Sequence, residues 1–502
     1  MSRALHPSRG HASALDGTGS LVYHRSVAGP EVDADTFEAV DFEGWRAVAV
    51  DGPRGVPMAQ LRTPLTPGVT IEPLEVSAPT VPGTGGRAGW QICPLHDDPR
   101  MEVVSEHMRL DLEGGADALW LRAGLDHGTR VLTPGDLDVV LRHVDLATTP
   151  IFLEPEVDAV GMASCLLAVA EKRAVAWTDL RGGFGTDPVG ALLRSGVQPA
   201  GLSGALRDLT AIASWAALHA PGMRAALVST QPYHDAGASP SEEIAWAVGT
   251  ALEYVRTMRA AGLDLAVAAA QLQLQVCVAG RPFVEVAKLR ALRWVWSKVS
   301  SVMGLEGEGR RLPIHVTSGT AHRTHRDPWV NQIRGTSEVF AAAVGGADSI
   351  ACLPFDATVG PSTAASRRLA RNTQLVLRDE AHLGRVHDPA GGSHSLDALT
   401  DALAREAWSL LQEVEQEGGM LRAARTGFIS SVLAASSAPR RDRIARRMEP
   451  VLGVTEFANL DEPPLDLVPV VMEEVEVELG NSMSSADPEE RHQALLAIAK
   501  VA

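Results

Sequence analysis

With 502 residues, 45% of them hydrophobic and 21% charged, the chain can bury one large core with extensions, or two to three ordinary domains, and is not disordered as a whole. A formal net charge of −17 repels phosphate backbones and anionic lipid, so neither nucleic acid nor a membrane surface is expected as a partner. Cys93, Cys165, Cys277 and Cys352 form no C-x-x-C pair, no signal-peptide pattern opens the chain, and no run reaches the roughly 18 apolar residues of a membrane helix; a soluble protein of the reducing cytoplasm is expected.

Residues 1–35 are rich in Gly, Ser and Ala without periodicity and are expected to form a mobile tail. Residues 36–90 contain short alternating runs, such as V-T-I-E at 69–72, broken by prolines, and suit an extended arm lying along a surface. From about residue 115 short apolar runs recur, each followed by a longer amphipathic stretch. The runs are 116–122, 150–154, 174–180, 225–231, 272–279, 312–317, 348–354 and 384–388. Runs of that length and apolarity suit strands buried on both faces of a parallel sheet. Eight strand–helix units in about 300 residues predict an α/β protein with a (β/α)8 barrel over residues 91–430, an open doubly wound sheet being the competing topology.

The intervening helices carry start and stop signals. Thr133 and Pro134 cap and start one helix. Another opens at Ser241, Glu242 and Glu243, presents a stripe of Ile244, Ala247, Val248, Ala251, Leu252, Val255 and Met258, and ends at Gly262. Beyond the barrel come a helix over 399–418, a basic helical stretch over 422–447, and an acidic tail over 472–502 that includes Glu473, Glu474, Glu476 and Glu478. Residues 431–502 are read as a C-terminal helical segment and solvated tail.

The most informative tract is R-L-A-R-N-T-Q-L-V-L-R-D-E at 368–380, followed by R-V-H-D-P-A-G-G-S at 385–393. It reads as a helix with Arg368 and Arg371 on one face, then a strand whose mouth carries Asp388 and Pro389, the end of a barrel where chemistry sits. Taken alone, these residues only brace the last βα loop.

In order and spacing the tract resembles the signature of the methylmalonyl-CoA mutase family, R-[IL]-A-R-N-T-Q followed by an acidic residue and D-P-x-G-G-S. Three further strings match that family in order: Y-H-D-A-G-A at 233–238, E-V-A-K-L-R-A at 285–291 with Trp294 or Trp296 after it, and P-V-L-G-V-T-E-F at 450–457. The resemblance covers about 45–464. It implies a carbon-skeleton rearrangement of a CoA thioester by a radical drawn from adenosylcobalamin, inside a barrel that shields the radical from water. It also implies that His234 corresponds to the histidine that bonds the thioester carbonyl, the one catalytic candidate; the alternative is a histidine kept for structure.

The departures from the family are as informative. There is no D-x-H-x-x-G string for a cobalamin-binding flavodoxin-like domain, and Asp126, His127 and Asp235 lie in other contexts. The T-M-Y-x-x-R-P-W entrance of catalytic members is replaced by G-T-G-G-R-A-G-W at 83–90, which keeps Trp90 but has no tyrosine. The Q-T-S-G loop reads V-T-S-G at 316–319, and Arg194 is a poor match to the arginine that neutralises the substrate carboxylate. His315, His322 and His325 have no metal-site spacing, so no metal is expected. These features resemble the non-catalytic small subunits of bacterial heterodimeric mutases. They imply a subunit of an isomerase, inactive alone, whose homologous large subunit holds adenosylcobalamin. The alternatives are the substrate-binding barrel of a split acyl-CoA mutase, completed by a separate cobalamin-binding chain, and a scaffold or regulatory barrel without mutase activity.

Overall fold

Apolar runs alternating with amphipathic helices leave two faces of a strand layer to bury, and a parallel sheet wrapped by helices buries both. The computed structural model describes residues 41–81, 89–124, 128–156, 158–195, 201–463 and 465; the expected tails at 1–35 and 472–502 lie outside them. The chain divides into two units, Met1–Leu61 and Arg62–Ala502. Within the first, the described part of the expected arm holds two helices, Phe42–Ala49 and Met58–Leu61. Asp41 caps the former, its carboxylate accepting from the Gly44 amide at 2.8 Å.

The second unit is a closed barrel of eight parallel strands. Strand β1 comes in two halves, Gln91–Ile92 and Leu95–His96. It is followed by β2 Leu119–Ala123, β3 Ile151–Pro155, β4 Gly182–Thr186, β5 Met223–Ser229, β6 Leu272–Val278, β7 Ile314–Ser318 and β8 Ser349–Ala351. Each strand pairs in parallel with the next. The halves of β1 close the ring, with Ile92 beside Ile350 of β8 and Leu95 beside Trp120 of β2.

The main helices are α1 Met101–Glu113, α2 Pro134–Val140, α3 Ala159–Lys172, α4 Gly201–His219, α5 Pro240–Ala260, α6 Pro282–Val302, α7 Val330–Val344 and α8 Ala364–Leu375, with α9 His394–Gln416 after them. Outward strand residues such as Leu119, Leu121, Leu274 and Val276 join helix residues such as Met108, Leu166 and Val248 in one continuous core. Inside the ring, Cys93, Leu95, Trp120, Leu227 and Ala351 form a second cluster with Phe152 and Leu353. A small hairpin, Thr63–Pro64 with Thr70–Ile71, hooks onto α9 where Thr66 Oγ1 donates to Glu406 at 2.6 Å. None of the described helices is long and apolar enough to cross a membrane, and all four cysteines are buried and unpaired.

Six of the eight apolar runs overlap strands, and two do not. The run at 174–180 holds Ala174 in the left-handed region, at φ 53°, and a 3-10 turn, Trp177–Asp179. The strand lies just beyond, as G-G-F-G-T, a composition that reads as a turn. Glycine is required there: a Cβ on Gly182 would stand 1.9 Å from the Ile151 carbonyl oxygen, and one on Gly185 1.8 Å from that of Leu153. The run at 384–388 is no strand either. It is a 3-10 turn, Leu383–Arg385, leading to Asp388 at φ 43°. The missing strand is β1, whose pattern is broken by Pro94, a residue that cannot donate to a ladder but whose carbonyl accepts from Trp120 at 3.1 Å. His234 therefore follows the fifth strand, although the apolar run before it, 225–231, is the fourth in the sequence.

Capping explains the helix starts. The Thr133 box is formed with Asp136, and α5 begins at Pro240, one residue before its expected opening at Ser241, with Ser239 and Glu242 as a reciprocal capping box. In α8 it is Arg367, not Arg368, that shares the buried side with Arg371. Both donate to Asp111 of α1, at 2.8 and 2.7 Å, while Arg368 is exposed. His96 abuts the same cluster but stays neutral, because burial and the Arg367 guanidinium both oppose its protonation. Asp111 thus joins the first and last helices of the ring. Truncating it in Asp111→Ala strands two buried guanidiniums, so urea unfolding should show a loss of about 3–5 kcal/mol. Arg368→Ala should change stability by less than about 0.5 kcal/mol. Equal effects of the two substitutions would contradict this assignment.

Candidate functional site at the carboxyl end of the barrel

Side chains on alternate strand positions point inward, and here they meet across the axis. Trp120 of β2 stacks on His315 of β7, with ring centres 4.0 Å apart, and on Phe152 of β3 at 5.3 Å. β2 and β7 do not pair with each other, so this contact spans the interior. The Trp120 indole N–H donates to Glu154 at 2.8 Å, and Gln275 of β6 donates to the same carboxylate at 3.1 Å. Gln275 in turn accepts from Ser229 of β5 at 2.6 Å. His315 Nδ1 shares a hydrogen with Ser349 of β8 at 2.9 Å. Burial pushes His315 down to about 3, so its ring stacks uncharged.

Above this layer Arg122 donates to Glu154 at 3.0 Å and to Gln231 at 2.9 Å. Burial raises the Glu154 carboxyl, but the Arg122 guanidinium outweighs it and holds the group below its ordinary value. Bulky, bonded side chains from six strands therefore occupy the axis.

His234 sits in a one-turn helix, Gln231–Asp235, at the mouth of β5. Its Nδ1 is 3.0 Å from Glu243 at the start of α5. The other ring nitrogen faces Gly319, where a Cβ would come within 2.2 Å of it, so glycine is what admits the imidazole. Glu243 also accepts from Lys288 of α6 at 3.3 Å, and Lys288 reaches Glu285 at 2.6 Å. Burial opposes charge on His234, yet the Glu243 carboxylate prevails and raises the imidazole above its ordinary value. For Glu243, burial pushes up, and Lys288 with His234 pulls it below the carboxylate range. His322 lies edge-on to His234 and is bonded to Glu338 at 2.6 Å. Burial is again overcome, by Arg323 above all, and Glu338 is held down at about 2.

Other groups at this end are also committed. Tyr233 and Tyr254 are buried, the first against Thr250 and the second donating to Asp187 at 2.6 Å, so neither presents a phenol to the mouth. Arg194 lies 3.9 Å from Asp187. A cavity of about 400 Å³ opens between the ends of β1, β2 and β8, lined by His96, His107, Arg122, Pro354 and Arg367 among others; His234 does not line it. Among the described residues no group of His, Cys, Asp and Glu is arranged to hold a metal ion. Of the entrance at 83–90, residues 83–88 lie outside the described residues, as do Asp126 and His127. Trp90 donates its indole N–H to Gln374 at 3.2 Å.

A sequence profile of the family described as methylmalonyl-CoA mutase matches residues 124–502. The chain belongs to that family. It is 36% identical over 425 residues to the methylmalonyl-CoA mutase small subunit of Streptomyces virginiae, an alignment covering 82% of this chain and 68% of the relative. It is 35% identical over 400 residues to the small subunit of Propionibacterium freudenreichii subsp. shermanii, covering 78% and 61%. A protein of Rhizobium meliloti called methylmalonyl-CoA mutase is 30% identical over 302 residues, covering 59% and 42%. The chain thus spans about three-fifths to two-thirds of the length of these two small subunits.

Of the strings shared with the mutase family, E-V-A-K-L-R-A supplies internal struts of the barrel, whereas P-V-L-G-V-T-E-F leaves Leu452, Val454 and Phe457 exposed. In the helix carrying E-V-A-K-L-R-A, Lys288 braces Glu243, and Arg290 grips Asp388 at 2.9 Å and Asp397 at 2.7 Å. Asp388 is a brace and not a group at a strand mouth. His234, His315 and His322 are each bonded within the barrel. Trp120, Glu154, Glu243 and Lys288 were not singled out as site residues from sequence. The exception was a partial signal, Glu242 and Glu243 at a helix start.

The His234–Glu243 pair has a pH signature. The raised imidazole contributes stability below about pH 6.5, fading as pH rises through its folded value; the depressed carboxyl contributes above about pH 4.3 and is lost in acid. NMR titration should place His234 above 6.5, and Glu243→Gln should bring it below that value. An unshifted His234 in both proteins would refute the pairing.

Proposed function

We propose that this chain is the non-catalytic small subunit of an adenosylcobalamin-dependent methylmalonyl-CoA mutase. In this reading a homologous large subunit holds the cofactor and interconverts methylmalonyl-CoA and succinyl-CoA in a cytoplasmic heterodimer. The observation that carries it is the axis crossed by Trp120, His315 and Glu154, where the substrate-binding members would admit an acyl-CoA. The small-subunit relatives support the same reading, as do Tyr233 and Tyr254, both buried and bonded away from the mouth. His234 is then a strut held by Glu243, and residues 36–90 lie along the partner.

Three outcomes separate this reading from a split mutase or a scaffold. Co-expressed with a mutase large subunit, the chain should elute with it one to one, and the complex should isomerise methylmalonyl-CoA. The chain alone, or mixed with an isolated cobalamin-binding protein, should show no turnover. His234→Ala in this chain should leave the kcat of the complex within about twofold, whereas a hundredfold loss would mark a catalytic histidine. Turnover by the chain with only a cobalamin-binding protein would favour the split enzyme, and failure to co-elute would favour the scaffold.

A further inference from the structure

Beside the filled axis, the cavity of about 400 Å³ between the ends of β1, β2 and β8 has room for a small molecule. Small-ligand sites run from about 300 to 1,000 Å³. Two elements give it an apolar wall. On α1, Val104 and His107 lie three residues apart on one helix face, and the loop after β8 adds Leu353, Pro354 and Ala357. Hydrogen bonds pin that loop. The Val359 amide donates to the Asp356 carbonyl at 2.8 Å, the Thr363 amide to the Asp356 carboxylate at 3.1 Å, and Asn331 to the Phe355 carbonyl at 3.0 Å. The wall is thus in place before a ligand arrives, which lowers the ordering cost of binding.

Two guanidiniums supply the polar side. Arg367, buried on α8, gives Nη1 to the Leu95 carbonyl at 3.0 Å and Nη2 to Asp111 at 2.8 Å and to His96 at 3.0 Å. Its Nε is buried and finds no acceptor among the described residues. Arg122 gives Nε to Glu154 and Nη2 to Gln231, while its Nη1 stands 3.8 Å from Asp97, beyond hydrogen-bond length. A buried N–H without an acceptor costs free energy that a ligand oxygen restores.

The acids beside the cavity are bonded or exposed. Asp98 accepts from Arg100 at 2.9 and 2.7 Å, and Asp97 is exposed to solvent. His107 brings no charge, because burial and the Arg367 guanidinium drive its imidazole down to about 4. Glu154 and Asp111 balance the charges of Arg122 and Arg367 through their own bonds. The cavity therefore offers donors without a strong net positive field, which suits a singly charged oxyanion over a doubly charged phosphate.

We propose that this cavity binds a small aliphatic carboxylate, its oxygens taken by Arg122 and Arg367 and its carbon chain laid against Val104, Leu353 and Pro354. No bond is made or broken there. This goes beyond the subunit assignment and does not rest on it.

Calorimetric titration of the full chain with sodium butyrate at about pH 7 provides the first test. One-to-one binding with a Kd of about 1 mM or tighter is expected, and inorganic phosphate should bind at least about tenfold more weakly. Histidine-ring NMR provides a second test that leaves the protein unaltered. Asp98, Asp111, Arg100 and Arg367 already face His107 and stay in place, so a change on adding butyrate reports the ligand. A bound carboxylate favours the charged imidazole, and saturating butyrate should raise the His107 pKa by at least about 0.5. Ala357→Phe, which fills the cavity and touches none of its ion pairs, should weaken butyrate binding at least about tenfold. No saturable heat up to about 20 mM butyrate would overturn the proposal, as would phosphate binding as tight as butyrate. Binding that leaves His107 unmoved and survives Ala357→Phe would put the ligand elsewhere and overturn it equally.

Discussion

The indole of Trp120 lies across the barrel axis, stacked on His315 and donating to Glu154, which in turn holds Arg122 and Gln275. Burying up to about 250 Å² of an indole at about 25 cal/mol per Å² contributes roughly 6 kcal/mol as an upper bound. Displacing it would also remove the indole N–H that Glu154 accepts, at roughly 1.5–3 kcal/mol more. A ligand bound between millimolar and micromolar affinity supplies only about 4–8 kcal/mol. On those magnitudes the plug outweighs such a ligand, which supports the non-catalytic reading proposed above.

The same economy of bonded charges runs through the mouth. His234, Glu243, Lys288 and Glu285 form one buried chain, and His322, Glu338 and Arg323 form another; the two meet where Gly319 lets the His234 ring pass. The ion pairs among these members hold the loops after β5 and β7 in place.

Much of this was legible in the sequence, and what was not has physical causes. The barrel class followed from the repeated run-and-helix pattern, and the caps at Thr133 and near Ser241 from side chains that accept backbone hydrogens. β4 was invisible because its glycines are demanded by carbonyls of β3 less than 2 Å from where a Cβ would sit. β1 was invisible because Pro94 divides it. Those two errors slid the strand count and made Asp388 look like a residue at a strand mouth, when it is the acceptor of Arg290. Arg367 was overlooked beside Arg368 because spacing alone does not say which neighbour faces inward; the carboxylate of Asp111, more than 250 positions away, decides it. The axis stack was beyond reach for the same reason, since β2 and β7 meet only once the ring has closed.

The most direct test is calorimetric titration of the isolated chain with succinyl-CoA and methylmalonyl-CoA. A filled axis predicts no saturable heat up to about 1 mM of either thioester. One-to-one binding with a Kd below that concentration, abolished by free CoA as competitor, would contradict it and would return this barrel to the substrate-binding members of its family.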